Sequence, residues 1–313
     1  CTKKSQMDLD NYRDKYNKSF NFNSELRKCL CGSDKYKKLF SYDRYLLRNK
    51  IVVCKKCGLI FANPILKKDY LENFYKSDFY RKLYNLELDN NKKDIFSKEG
   101  DNSNNSFNFL KKFINERRQI NILEVGSGHN TNLIHFKKIG NLYAVDYSNE
   151  SKKLAKKMGI TFHQGGVEVI KKFNLNFDCI ILSHVIEHFH DFKNDIREII
   201  KFSNQNTLFY IEVPSMDLKY NLDQLQNAHN FYFTKNTLIF HLNKLGLDCI
   251  EHGIASNIHQ YGIFKKGSTK QDNSLSNEYN KIIKIHKKFC YEFYWLYLVN
   301  FYFRKFIKLI IGE

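Results

Sequence analysis

The chain has 313 residues, 42% of them hydrophobic, with 51 Lys and Arg against 33 Asp and Glu for a net charge of +18. That length fits one large domain or two modest ones, and the hydrophobic share allows a real core. The positive charge invites a nucleic-acid or anionic-membrane partner. The lysines, however, are scattered among asparagines, with no Arg-rich arm and no RNA-binding aromatic signature, so an anionic small substrate such as a phosphorylated sugar fits the charge equally well.

In chain order, residues 1–28 read as a polar extension. The first thirty residues lack the apolar stretch of a signal peptide, so no secretory leader is expected. Cys29-Leu30-Cys31-Gly32 and Cys54-Lys55-Lys56-Cys57-Gly58 follow. Two close thiolate pairs can converge on one tetrahedral zinc, with the glycine after each pair relieving a tight turn. Cys29, Cys31, Cys54 and Cys57 are therefore expected to hold zinc in an element spanning 29–64. The role is structural, because four thiolates leave no open position for chemistry; the alternative is four buried free thiols. Cys1, Cys179, Cys249 and Cys290 are scattered, the pattern of a cytoplasmic protein and not of a disulfide framework. Residues 65–118 read as a helical lid and linker. Tyr70, Phe74, Tyr75, Phe79 and Tyr80 recur there at helical spacing, and a polar run over 100–105 breaks the pattern.

Residues 119–267 carry the most specific signal. Ile122-Leu123-Glu124-Val125-Gly126-Ser127-Gly128 reads as a buried strand running into a glycine turn, and a second strand ends at Asp146. Glycines let the backbone approach a ligand closely at a strand end, and an acid at the tip of the second strand can take both hydroxyls of a ribose. A dinucleotide fingerprint would need a third glycine where this chain has Thr131, and Glu124 would repel a pyrophosphate. The segment resembles motif I of the class I S-adenosylmethionine (SAM)-dependent methyltransferases, whose cofactor has no phosphates and carries positive charge. Asn130 stands where many members of that family have another glycine. The resemblance implies that Glu124, Gly126, Ser127, Gly128, Asp146, Tyr147, Gly166, Val167 and Ser183 contact SAM, with the loop Gln164–Glu168 beside the adenine. The cysteine segment together with Gly58–Pro64 resembles the N-terminal zinc-binding part of methyltransferases that modify sugars and polysaccharide precursors. In those enzymes the lid region covers SAM, which makes Tyr75 and Tyr80 candidates for contact.

Strands are expected at 120–125, 141–146, 160–163, 177–183, 207–213, 247–252 and 258–264. Helical patterns lie between most of them, at Thr131–Ile139, Glu150–Met158, Asp191–Lys201 and Thr234–Leu245. Strands alternating with helices imply a doubly wound α/β sheet of the Rossmann type. The last two strands have no room for a helix between them and should pair antiparallel. The fold expected is thus a seven-stranded Rossmann-like sheet with its last strand antiparallel, a small zinc-binding element in front and a C-terminal helix behind.

Ligands in such sheets bind outside the carboxyl ends of the strands. The strand 177–183 runs into His184-Val185-Ile186-Glu187-His188, which resembles the post-strand motif of many class I methyltransferases. His184, Glu187 and His188 would share one face of a helical turn, and His229 could complete a divalent site with them for a metal such as manganese or magnesium; His184 in place of a first acid moves the preference away from magnesium toward manganese, iron or zinc. Without a metal, His188 and His229 are the candidate bases for an acceptor hydroxyl and Glu187 orients one of them. The resemblance implies a sugar, nucleotide sugar or surface-polysaccharide precursor as acceptor. C-methylation of a keto-sugar and methylation of RNA are the alternatives. Residues 268–313 read as an aromatic and basic helix. Glu292 and Asn300 interrupt its apolar run, so it suits packing on the domain or on a second copy better than a membrane span. Contact with a membrane surface is the other reading, placing the protein in the cytoplasm or peripherally at the inner membrane surface.

Overall fold

The computed structural model describes residues 3–76, 106–114, 119–267, 275 and 277–293. The N-terminal part contains α1 (Lys3–Ser19), β1 (Ser24–Glu25), β2 (Tyr36–Tyr42), β3 (Arg48–Cys54), β4 (Ile60–Ala62), β5 (Ile65–Leu66) and α2 (Lys68–Lys76). After the short helix α3 (Ser106–Leu110), the large sheet is built from β6 (Ile120–Val125), β7 (Gly140–Asp146), α4 (Asn149–Met158), β8 (Thr161–Gln164), β9 (Phe177–Ser183), α5 (Phe192–Ile200) and β10 (Ser203–Pro214). The chain continues through β11 (Phe231–Tyr232), α6 (Lys235–Asn243), β12 (Leu247–Ile254) and β13 (His259–Lys266). A last helix, α7, covers 278–293.

Seven strands pair in the order β12-β13-β10-β9-β6-β7-β8. The central strands pair in parallel, whereas β13 is antiparallel to both β10 and β12. The turn between β12 and β13 is too short for a crossover, which forces that reversal. Central strands buried on both faces read as near-continuous apolar runs, as in Cys179-Ile180-Ile181-Leu182 of β9. Alternate residues feed the two sides. Leu123, Ile180, Leu182 and Phe209 pack with Phe192, Ile196 and Ile199 of α5 and with Leu238 and Leu242 of α6. Ile122, Ile181 and Tyr210 pack on the opposite side with Ala155 of α4, Leu133 and Phe136. From β6 the chain moves outward to β7 and β8, then returns to β9 on the other side of β6. A ligand crevice opens at such a switch point, at the carboxyl ends of β6 and β9.

One expected helix is corrected. Thr131–Ile139 forms only a 3₁₀ turn, Leu133–Phe136. Asn130 takes a left-handed conformation, with φ +60°. Its amide donates to Ser127 O, 2.7 Å away, and so closes a turn before a helix can start. Leu133 and Phe136, three residues apart and fully buried, still meet the core from that tight turn.

The smaller sheet has the order β11-β4-β3-β2. Its edge strand β11 lies about 170 residues after β4 in the chain, so the small N-terminal sheet is completed by residues that follow β10. One face of this sheet joins the main core through Val52, Phe61 and Phe231. The other packs Ile51, Val53 and Ile60 against Ile282 of α7. At the start of α7 the buried Glu278 carboxylate accepts from Thr234 Oγ1 at 2.7 Å and Asn236 Nδ2 at 2.8 Å. Further along, Phe289 meets Phe40 with ring centroids 5.9 Å apart. Among the described residues, no helix is long and apolar enough to cross a membrane. The side chain of Tyr75, the polar run 100–105, Tyr80 and the aromatic residues beyond 293 lie outside the described residues.

Candidate active site

The glycine turn follows β6 directly. Gly126 has φ +66°, and a Cβ there would sit 2.5 Å from Val185 Cγ2, so only glycine lets the turn and the segment after β9 lie against each other. Asp146, at the tip of β7, accepts from Gly128 N at 2.9 Å and from Ser148 N at 2.7 Å. Those bonds fix its carboxylate beside the turn, while Ser148 caps α4 by accepting from Glu150 N and Ser151 N. Tyr147 lies over Gly166, where a Cβ would come 2.4 Å from the phenol oxygen. Val167 starts the 3₁₀ turn Val167–Phe173 beside it.

Glu124 is 2% exposed, and its Oε1 accepts from Asn132 Nδ2 at 2.7 Å. Its Oε2 and the hydroxyl of Ser127 are buried without a hydrogen-bond partner among the described residues. Burial first, then the charges of Asp146 and Glu212, push the Glu124 carboxyl up to about 8 against the pull of Asn132. A polar crevice with unpaired acceptors and an acid waiting for a counter-charge fits a cationic amino-acid-bearing ligand.

The carboxyl ends of β9 and β10 carry the second half of the site. Here the helical spacing of His184, Glu187 and His188 is corrected. His184 is left-handed, with φ +55°, and Ile186–His188 is a 3₁₀ turn, so the residues do not share one helical face. Glu187, His188 and His229 converge, with ligand atoms within 4.8 Å of one another. His184 instead joins Glu212 and His259 within the same limit. The His188 and His229 rings meet edge to face at 4.7 Å. His188 Nδ1 lies 3.0 Å from Ala228 O and must donate to it, which leaves the ring's lone pair on Nε2 in the neutral form. Burial, and then the neighbouring His188, push His229 down to about 3, and burial likewise lowers His188. For Glu187, burial would raise the pKa, but His184, His188 and His229 hold it down at about 2. Both Glu187 oxygens and His229 Nδ1 are buried without a hydrogen-bond partner among the described residues. Ser183, expected near the cofactor, directs its hydroxyl to Glu212 Oε2 at 3.4 Å.

The profile of a protein family described as a methyltransferase domain matches residues 78–252, more than half of the chain. The chain belongs to this family. It is a SAM-dependent methyltransferase. Solved structures similar to it include the 1,6-didemethyltoxoflavin-N1-methyltransferase of Burkholderia thailandensis, bound to 1,6-didemethyltoxoflavin and S-adenosylhomocysteine. That protein is 17% identical, the match covers 67% of this chain and 96% of that one, and the TM-score is 0.49. An S-adenosylmethionine-dependent methyltransferase from Clostridium acetobutylicum is 12% identical over 61% of this chain and 100% of that one, with a TM-score of 0.44. None of the curated proteins matches the sequence.

The methyltransferase also gathers its four N-terminal cysteines. Cys29, Cys31, Cys54 and Cys57 place their sulfurs within 4.8 Å of one another, with Cys29–Cys57 at 3.5 Å and Cys31–Cys54 at 3.6 Å. All four are free thiols. Sulfurs sharing one zinc at about 2.3 Å lie about 3.8 Å apart, so the set fits that ion. Nε2 of the buried His241 on α6 lies 3.6 Å from Cys57 Sγ. Sequence reasoning missed Glu212, His259 and His241. The one local signal was Glu212 itself, an acid inside the apolar run of β10.

Proposed function

We propose that the methyltransferase binds SAM at the crevice between β6 and β9 and methylates a hydroxyl of a sugar, nucleotide sugar or other saccharide precursor. Bound SAM supplies an activated methyl group on a sulfonium. In this reading Asp146 takes the ribose hydroxyls, Tyr147 and the backbone at Gly166 and Val167 frame the adenine, and the turn Gly126-Ser127-Gly128 accommodates the amino-acid portion near Glu124. Ser183 serves the crevice through Glu212.

The observation that carries the reading is the contact between the two halves of the site. Val185 packs on Gly126, so the segment leading to Glu187 and His188 abuts the donor turn. Alignment of acceptor oxygen, methyl carbon and leaving sulfur is the main demand of such a transfer. His188 and His229, kept neutral by burial, can take the hydroxyl proton as the O–CH₃ bond forms. The ionised Glu187 stabilises the resulting imidazolium. Cys29, Cys31, Cys54 and Cys57 hold a structural zinc in this reading and so stabilise the small sheet. Because β11 begins two residues after His229, that sheet stands beside the imidazoles and forms a wall suited to a small acceptor. The net charge of +18 favours an anionic acceptor such as a phosphosugar or nucleotide sugar.

The test is methyl transfer from labelled SAM to nucleotide sugars, phosphosugars and oligosaccharides, with tRNA in parallel. Label on a saccharide oxygen is the expected result. Label on a sugar carbon redirects the chemistry to C-methylation, and label on tRNA alone overturns the saccharide assignment.

A further inference from the structure

His184, Glu212 and His259 come from three separate strand ends, and nothing in the proposed transfer uses them together. His184 follows β9, Glu212 lies near the end of β10, and His259 opens β13. His184 Nε2 is 3.5 Å from Glu212 Oε1, and His259 Nδ1 is 3.7 Å from the same oxygen. The two imidazole rings meet at 4.3 Å. These separations exceed a hydrogen bond, which closes at about 2.7–3.2 Å for N–H to O. They suit donors shared by one ion, since ligands at about 2.0–2.1 Å from a tetrahedral metal lie about 3.4 Å apart.

We propose that His184 Nε2, Glu212 Oε1 and His259 Nδ1 bind a divalent transition-metal ion at the acceptor end of the sheet, distinct from the four-cysteine site. The surroundings already direct each donor. Tyr210 OH donates to Glu212 Oε2 at 2.9 Å, which leaves Oε1 turned toward both imidazoles. Glu187 Oε1 faces the other nitrogen of His184, Nδ1, at 3.6 Å. The His184 amide donates to Glu212 O at 2.9 Å, pinning the left-handed residue to the strand that bears its partner. Non-glycine residues held in that conformation cluster at functional sites.

The donor set also selects the ion and its task. Two imidazoles and one carboxylate favour zinc, manganese or iron(II) over magnesium. Three protein ligands leave a position open, in contrast to the closed thiolate set. The His184 side chain is 38% exposed and that of His259 27%, so the open face is reachable. Its occupant is a water or an oxygen of the acceptor. Only the choice of the acceptor rests on the function proposed above; the ion site itself does not.

Native mass spectrometry of the full chain after equilibration with zinc counts the ions directly, and the charge-state envelope reports folding. The expected result is one zinc that disappears in both His259→Ala and Glu212→Gln and is kept in Cys31→Ser and in His229→Asn. If the chain binds a single zinc and Cys31→Ser abolishes it, the proposal fails. Retention of every bound zinc in folded His259→Ala refutes it as well. Loss of that zinc in His229→Asn but not in His259→Ala moves the ion to the Glu187, His188 and His229 group and overturns the assignment. Should His259→Ala not fold, the same count on Glu212→Gln decides.

Discussion

Replacing Glu124 with glutamine separates its charge from its shape. Glutamine keeps an oxygen that can accept from Asn132 Nδ2, and it has no proton to lose. The carboxyl moves from its ordinary 4.5 to about 8, chiefly through burial. Each pKa unit corresponds to about 1.4 kcal/mol, so full ionisation of Glu124 in the unliganded fold costs about 5 kcal/mol relative to the unfolded chain. The sign follows from the raised value. The favourable contribution is whole below pH 4.5 and is lost as pH climbs through 8. Urea unfolding of wild type and Glu124→Gln without ligand should therefore diverge by about 1.4 kcal/mol per pH unit between pH 5 and 8, with the variant gaining, and the gap should level off above 8. SAM reverses the advantage. Its positive charge favours the carboxylate, and at pH 7 about 1.4 kcal/mol of the attraction goes to ionising the group. Calorimetry should show the ratio of wild-type to variant SAM affinity rising up to tenfold per pH unit below 8 and then flattening. Parallel unfolding curves, together with a pH-independent affinity ratio, would refute the account of Glu124.

His229→Ala should lower kcat by about 10²–10⁴-fold and leave SAM affinity within a few-fold, as expected of a lost base; kcat unchanged in single-turnover assays removes His229 from the transfer. Stripping zinc with a chelator should lower the melting temperature by at least about 5 °C, restored by added zinc, because four thiolates crowded in a small sheet need the ion to stay together. A melt indifferent to chelator and zinc argues that the cysteines are plain core thiols. Ile282→Ala, at a side chain with 0% exposure between α7 and the small sheet, should destabilise by about 2–5 kcal/mol in urea; a loss below about 1 kcal/mol would mean that α7 is not part of the folded core.

The parts legible in the sequence are those encoded over a few residues. Apolar runs announced β6, β9 and β10, because a strand covered on both faces must be apolar throughout. The glycine turn and Asp146 could be read together because they belong to one strand-turn-strand unit, with 18 residues from Gly128 to its partner Asp146. The short link between β12 and β13 announced the antiparallel ending by excluding a crossover. Two cysteine pairs announced a cluster because each pair sits on its own tight turn.

The rest was decided by contacts between distant segments. Spacing alone put His184 on a helical face with Glu187 and His188, yet a left-handed residue pinned to β10 carries it to Glu212 and His259. No local periodicity encodes that choice, which depends on β10 and β13 lying side by side. The same holds for the edge of the small sheet, where Phe231↔Phe61 and Tyr232↔Ile60 join segments that are remote along the chain. Two residues of strand are too few to show a period; they become a strand because β4 offers unpaired amides and carbonyls. The sequence by itself therefore determined the sheet, the glycine turn with its two acids and the paired cysteines, since these follow from periodicity and turn chemistry. Only the tertiary structure decided which imidazole faces which carboxylate, because that depends on where strand ends far apart in the chain come to rest.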